Sequence, residues 1–102
     1  MIHVIATVTV KSGKRDAFVA EFKRIVPLVH AEAGCIEYGP TVDIDSGMSV
    51  QGALRENVAV IVEKWDSLDA LKAHTQAPHM ADYRIRVKDL VESVTLQILA
   101  PA

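Results

Sequence analysis

Asn57-Val58-Ala59-Val60-Ile61-Val62-Glu63-Lys64-Trp65 is the stretch on which the fold turns. Five consecutive apolar residues, Val58 to Val62, four of them β-branched, are too short a run for a helix and read as a largely buried strand. Glu63 and Trp65 lie two positions apart and so share one side of it. Downstream, Asp66 and Ser67 can cap a helix on which Leu68, Leu71 and His74 or Thr75 share a face. Pro78 ends that helix and can open another, in which Met80, Tyr83, Val87, Leu90 and Val91 recur at helical spacing. Residues 93–99, with Val94, Leu96 and Ile98, close the chain as a strand.

Upstream, residues 45–56 are irregular and read as a loop or a short extra strand at 48–52. Residues 35–43 form a strand in which Pro40 argues for an edge or a bulge. From Lys14 to about Ala33, Phe18, Phe22, Ile25 and Val29 fall on one helical stripe; Pro27 predicts a kink or break, and Gly34 a stop. Residues 2–10 alternate as a first strand, ended by Lys11-Ser12-Gly13-Lys14. The order β-α-β-β-α-β is the ferredoxin-like split βαβ pattern of an α+β protein, and residues 1–102 read as one such domain.

With 11 basic and 13 acidic residues spread along the chain, no cationic surface for nucleic acid is expected. No apolar run approaches the roughly 20 residues of a membrane span. No export signal is evident, and Cys35 is the only cysteine. Together these predict a cytoplasmic protein without a disulfide.

Helices cover only one face of a four-stranded sheet. The sides bearing Val4, Ala6 and Val8, then Val58, Val60 and Val62, then Val94, Leu96 and Ile98, are assigned to that face. The other face then carries His3, Ile5, Thr7, Ala59, Ile61, Glu63 and Trp65. Ile61 and Trp65 are too apolar for water, which predicts a two-fold homodimer; the alternative is a monomer with a half-wetted face. The apolar Val50 and Leu54 assign the 45–56 segment to a dimer contact.

Enclosed on that face, Glu63 becomes a carboxylate in an apolar cavity, suited to proton transfer; otherwise it is a strand-end residue paired on the rim. Across the break at Pro78, His74 and His79 can converge on one pocket mouth, and histidine suits a general base near neutral pH. Either one taken alone reads as a cap or surface residue. Their spacing does not match helical metal sites and no third ligand is evident, so no metal is expected. Tyr38 and Tyr83 can orient an aromatic ligand, Tyr83 chiefly as packing, and His3 faces the cavity or caps its strand. Cys35 reads as a structural thiol. Glycine patterns for dinucleotides or phosphates are missing, so NAD and ATP are not expected.

Several motifs, in their order and spacing, resemble the antibiotic-biosynthesis-monooxygenase family over nearly the whole chain. They are Glu32-Ala33-Gly34-Cys35, Glu63-Lys64-Trp65-Asp66-Ser67, Leu71-Lys72-Ala73-His74 and Pro78-His79-Met80. The runs at 38–43, 46–51 and 96–101 are similar to the bacterial quinol monooxygenase branch. The resemblance implies a dimeric α+β barrel and a monooxygenase that oxidises a quinol or polycyclic phenol with O₂, without metal, flavin or other cofactor. By the same resemblance, His74 or His79 would act as base, Tyr38 and Glu63 would orient the substrate, and Trp65 would form an aromatic wall. Haem-degrading relatives carry a first-strand Asn where this chain has Ala6, which argues against haem. Two other readings remain: an isomerase of a small sugar-like ketone phosphate, with Arg84, Arg86 or Lys88 near the cavity, and a non-catalytic dimeric binding protein.

Overall fold

The computed structural model describes all 102 residues. Seven elements follow in order: β1 (Ile2–Val10), α1 (Arg15–His30), β2 (Cys35–Thr41), β3 (Val58–Trp65), α2 (Leu68–Thr75), α3 (Pro78–Val87) and β4 (Val91–Leu99). The four strands form one antiparallel sheet in the order β2-β3-β1-β4, the α+β ferredoxin-like arrangement expected from the element order.

The register corrects one reading of the sequence. Val4 pairs with Glu63, Ala6 with Ile61 and Val8 with Ala59, so these residues share a face. That face turns toward the helices: Phe18, Phe22, Ile25 and Val29 of α1 are buried in one core with Val4, Ala6, Val8, Ala59, Ile61 and Trp65. Ala59, Ile61, Glu63 and Trp65 therefore lie beneath the helices, and Val58, Val60 and Val62 lie on the far face with His3, Ile5 and Thr7. The reason is volume. A continuous apolar run carries no phase of its own, and the side that could seat a fully buried Trp65 under the helices won.

The edge strand β4 projects Ile98, Leu96 and Val94 to the helix side, opposite Val4, Ala6 and Val8. No helix covers this row, and each of the three is more than half exposed.

Pro27 does not break α1, which runs on to His30; the amide of Ala31 reaches the Pro27 carbonyl at 3.3 Å. A turn then leads to Gly34, whose φ of +83° is a left-handed conformation that glycine tolerates without strain. The Gly34 carbonyl accepts from the Asp66 amide at 2.9 Å. A Cβ at Gly34 would stand only 2.5 Å from Asp66 Oδ1, so this contact requires glycine. It pins the α1–β2 turn against the β3–α2 junction. Ser67 caps α2, its Oγ accepting from the Ala70 amide at 3.1 Å, and Pro78 takes the first turn of α3.

Residues 42–57 contain no strand at 48–52. Their loop is closed by Arg55, which donates to both Asp43 carboxylate oxygens at 2.9 and 2.8 Å. These hydrogen bonds hold the Asp43 carboxyl down at about 2. Ile44, Met48, Val50 and Leu54 stay exposed on its surface.

Candidate active site

Between the sheet and the three helices lies a cavity of about 530 Å³. Fourteen of its nineteen lining residues are hydrophobic, which suits an apolar or aromatic guest. The other five are Glu63, His74, Thr75, Arg84 and Lys88, and Tyr38 and Tyr83 add hydroxyls to the otherwise apolar set.

His74, near the C-terminal end of α2, is 4 % exposed. Its ring lies 4.8 Å from that of Trp65 and meets Tyr38 edge-on at 5.2 Å. Its Nδ1 stands 2.9 Å from Oε2 of Glu32, and Nε2 of His79 reaches the same oxygen at 2.7 Å. An ionised carboxylate only accepts, so each of these ring nitrogens must carry its proton when the imidazoles are neutral. His74 is then fixed as the Nδ1–H tautomer, and Nε2 keeps a free lone pair. Since His74 lines the cavity, that lone pair is the basic atom available to a guest.

Glu63 is 6 % exposed and lines the same cavity, as expected of an enclosed carboxylate, but on the helix side of the sheet. Trp65 Nε1 donates to its Oε1 at 3.0 Å. Burial raises the Glu63 carboxyl above its ordinary value, while the Trp65 hydrogen bond and the nearby His74 pull it back only in part. A buried carboxyl and an imidazole on the wall of one cavity are groups that can move protons to and from a guest.

Tyr38 stacks on Phe22 at 5.2 Å, and Tyr83 meets the Phe22 ring edge-on at 5.6 Å. Both tyrosines face the cavity. Burial, and after it the charge of Glu63, holds the Tyr38 phenol above its usual range, so it serves as a neutral donor. Burial likewise raises Tyr83.

Three expectations need correction. His3 pairs with Lys64 and lies on the far face of the sheet, outside the cavity, because the helices took the opposite parity of β1. Trp65 is fully buried behind Glu63 and His74 and forms no wall of the cavity. A third potential ligand does exist, in Glu32: one donor atom from each of Glu32, His74 and His79 lies within 4.8 Å of the others. Glu32 stood in the Glu32-Ala33-Gly34-Cys35 motif, but nothing local tied it to His74, which it reaches across 42 residues of sequence. His79 itself does not line the cavity.

The family described as Antibiotic biosynthesis monooxygenase matches residues 1–86. The chain is 39 % identical over 103 aligned residues to "Probable quinol monooxygenase YgiN" of Escherichia coli K12, covering 99 % of this chain and 98 % of that one. Among solved structures, Rv0793 from Mycobacterium tuberculosis superposes with a TM-score of 0.79 at 27 % identity, over 99 % of this chain and 94 % of that one. PA3566 from Pseudomonas aeruginosa, at 24 % identity, gives a TM-score of 0.81 over 99 % and 93 % and bears on the fold alone. Together with the sheet order and the buried His74–Glu63 cavity, the 86 matched residues place this chain in the antibiotic biosynthesis monooxygenase family.

Proposed function

We propose that this family member is a cofactor-independent monooxygenase that oxidises a quinol or related polycyclic phenol with O₂, and that His74 is its base. Family membership supports the coarser assignment, an oxidoreductase of the monooxygenase class. The name of the Escherichia coli relative and the apolar cavity support the finer one. The observation that carries the reading is the Glu32–His74 pair, which leaves one basic nitrogen on the wall of a largely apolar pocket.

Nε2 of His74 takes the proton of a substrate hydroxyl, and Glu32 stabilises the imidazolium that results. The phenolate is electron-rich enough to pass an electron to O₂ directly, and recombination forms a carbon–oxygen bond to a peroxide. Glu63, whose carboxyl burial raises above its ordinary value, is the group assigned to pass on the proton that lets the distal oxygen leave. A quinol and O₂ thereby give a hydroxyquinone and water. The substrate supplies every electron, so no external reductant is needed. Tyr38 and Tyr83 orient the ring, and apolar walls keep water from the reactive anion.

The active form in this reading is a homodimer, in which a second copy covers the bare row Val94, Leu96 and Ile98 and the apolar loop of residues 42–57. A cytoplasmic setting suits its one free thiol. No helix is long and apolar enough to cross a membrane.

Arg84 and Lys88 at the cavity lining favour a second reading, proton transfer on a small ketone phosphate. The deciding experiment is oxygen uptake by the metal-stripped protein with a panel of reduced quinols, corrected for autoxidation. Enzyme-dependent uptake that is lost in His74→Ala supports the oxygenase; absence of uptake across the panel rejects it in favour of isomerase or binding roles.

A further inference from the structure

We infer that Glu32, His74 and His79 form a binding site for one divalent transition-metal ion of the zinc class, and that the ion reverses the hydrogen-bonding sense of His74 toward the cavity. The existence of the site is independent of the proposed oxygenase; its effect on turnover rests on that reading.

Three separate elements deliver the ligands: the turn after α1, the last turn of α2 and the first turn of α3. Zinc is held at roughly 2.0–2.2 Å by imidazole nitrogen and carboxylate oxygen, which sets tetrahedral ligand atoms about 3.3 Å apart. Two of the contacts stand at 2.9 and 2.7 Å, and all three ligand atoms lie within 4.8 Å of one another. Opening each hydrogen bond by roughly half an ångström and drawing the ring nitrogens inward makes the cradle, a movement within reach of side-chain torsions. Two imidazoles and one carboxylate suit zinc, cobalt, nickel or ferrous ions, whereas magnesium and calcium prefer all-oxygen shells.

The cluster is also placed to admit an ion. The side chains of His74 and Glu32 are 5 % and 15 % exposed, but that of His79 is 22 % exposed and lies off the cavity. An ion can therefore arrive from the His79 side and keep a water in its fourth position, without passing the substrate.

Binding has a consequence at the cavity. The ion takes the Nδ1 lone pair of His74, so the single proton of the neutral ring moves through solvent from Nδ1 to Nε2. The nitrogen facing the cavity then donates instead of accepting, and it can no longer abstract a proton. No charge is lost from the ring and no oxidant or reductant takes part.

The test is titration of the metal-stripped full chain with Zn²⁺ at neutral pH, in competition with a chromogenic chelator. Long-range ¹H–¹⁵N spectra of the histidine rings are recorded alongside. One ion per chain is expected, with affinity lowered roughly 10- to 100-fold or more in Glu32→Gln and His79→Ala and unchanged in His3→Ala. In the unaltered protein, where folding of a variant is not at issue, the ring signals of His74 and His79 should move and those of His3 should stay. His74 should change from the Nδ1–H to the Nε2–H tautomer. No stoichiometric binding, or binding that leaves the His74 and His79 signals in place, overturns the site. Zinc bound there with His74 still protonated on Nδ1 overturns the reversal. In the quinol assay, saturating Zn²⁺ should slow uptake at least roughly tenfold. Uptake unaffected by bound zinc refutes the link to turnover. A protein with no uptake in either state fails the oxygenase reading, while the ring spectra still decide the metal site.

Discussion

Glu32 and His74 are 42 residues apart in sequence and 2.9 Å apart in the fold, joined through Oε2 and Nδ1. One carboxylate thereby decides the tautomer of the cavity histidine and ties it to His79. Both the proposed chemistry and the inferred metal site follow from that contact.

If His74 is the base, His74→Ala should lower quinol-dependent oxygen uptake by roughly 100-fold or more. His79 contacts Glu32 but not the cavity, so His79→Ala should cost less than about tenfold. Initial rates of oxygen uptake compare the two. Equal losses, or a larger loss at His79, would assign the base wrongly.

Glu32→Gln keeps the shape of the side chain but replaces a charged acceptor with an amide that can also donate. The tautomer of His74 is then no longer enforced and its imidazolium no longer balanced. A fall in kcat of roughly 100-fold, with KM little changed, is expected by the logic of the carboxylate–histidine pair. A change confined to KM would make Glu32 a matter of packing.

Because burial raises the Glu63 carboxyl, its folded-state pKa exceeds the value of about 4.5 it has when unfolded. The folded protein therefore binds the proton more tightly, and ionised Glu63 weakens the fold at pH above its folded pKa. That penalty fades as pH falls through the folded pKa and is gone below the unfolded value. Glu63→Gln can still accept from Trp65 and should raise the melting temperature by a few degrees at neutral pH, with the difference vanishing in acid. Thermal melts at several pH values read this directly; a pH-independent difference would refute the buried-acid account.

At Gly34, alanine would face both a φ of +83° and a Cβ contact of 2.6 Å with Ala70. Gly34→Ala should destabilise the fold by roughly 2–3 kcal/mol, measured by denaturant unfolding. It should also loosen the turn that carries Glu32. Wild-type stability in this variant would mean that the turn has room the contacts deny.

Leu96, 56 % exposed on the bare row of β4, is the probe for the proposed homodimer. Sedimentation should find the unaltered chain dimeric at micromolar concentration, with Leu96→Asp weakening association roughly 100-fold or more. A monomeric unaltered chain would dismiss the dimer.

Much of this protein is legible in its sequence. The alternation of residues 2–10, the helical stripe from Phe18 to Val29 and the punctuation at Ser67 and Pro78 are local signals, and the elements formed where those signals placed them. Pro27 does not end α1, because a proline removes only one donor and a helix packed along its length with four buried side chains tolerates the loss. His3 misled because its place depended on which side of β1 the helices would choose.

What the sequence by itself determined was the order of elements, the strand ending in Glu63 and Trp65, and the approach of the two histidines across Pro78. These depend on period, capping and chain stiffness, which act over a few residues. What only the tertiary structure decided was the face of β3 that meets the helices and the partner that holds His74. The run from Val58 to Val62 is apolar at every position, so nothing local favours one side. The choice came from finding room for Trp65 beneath the helices. Glu32 reaches the histidines because Gly34 lets the turn after α1 close on Asp66, a contact between segments that share no local pattern.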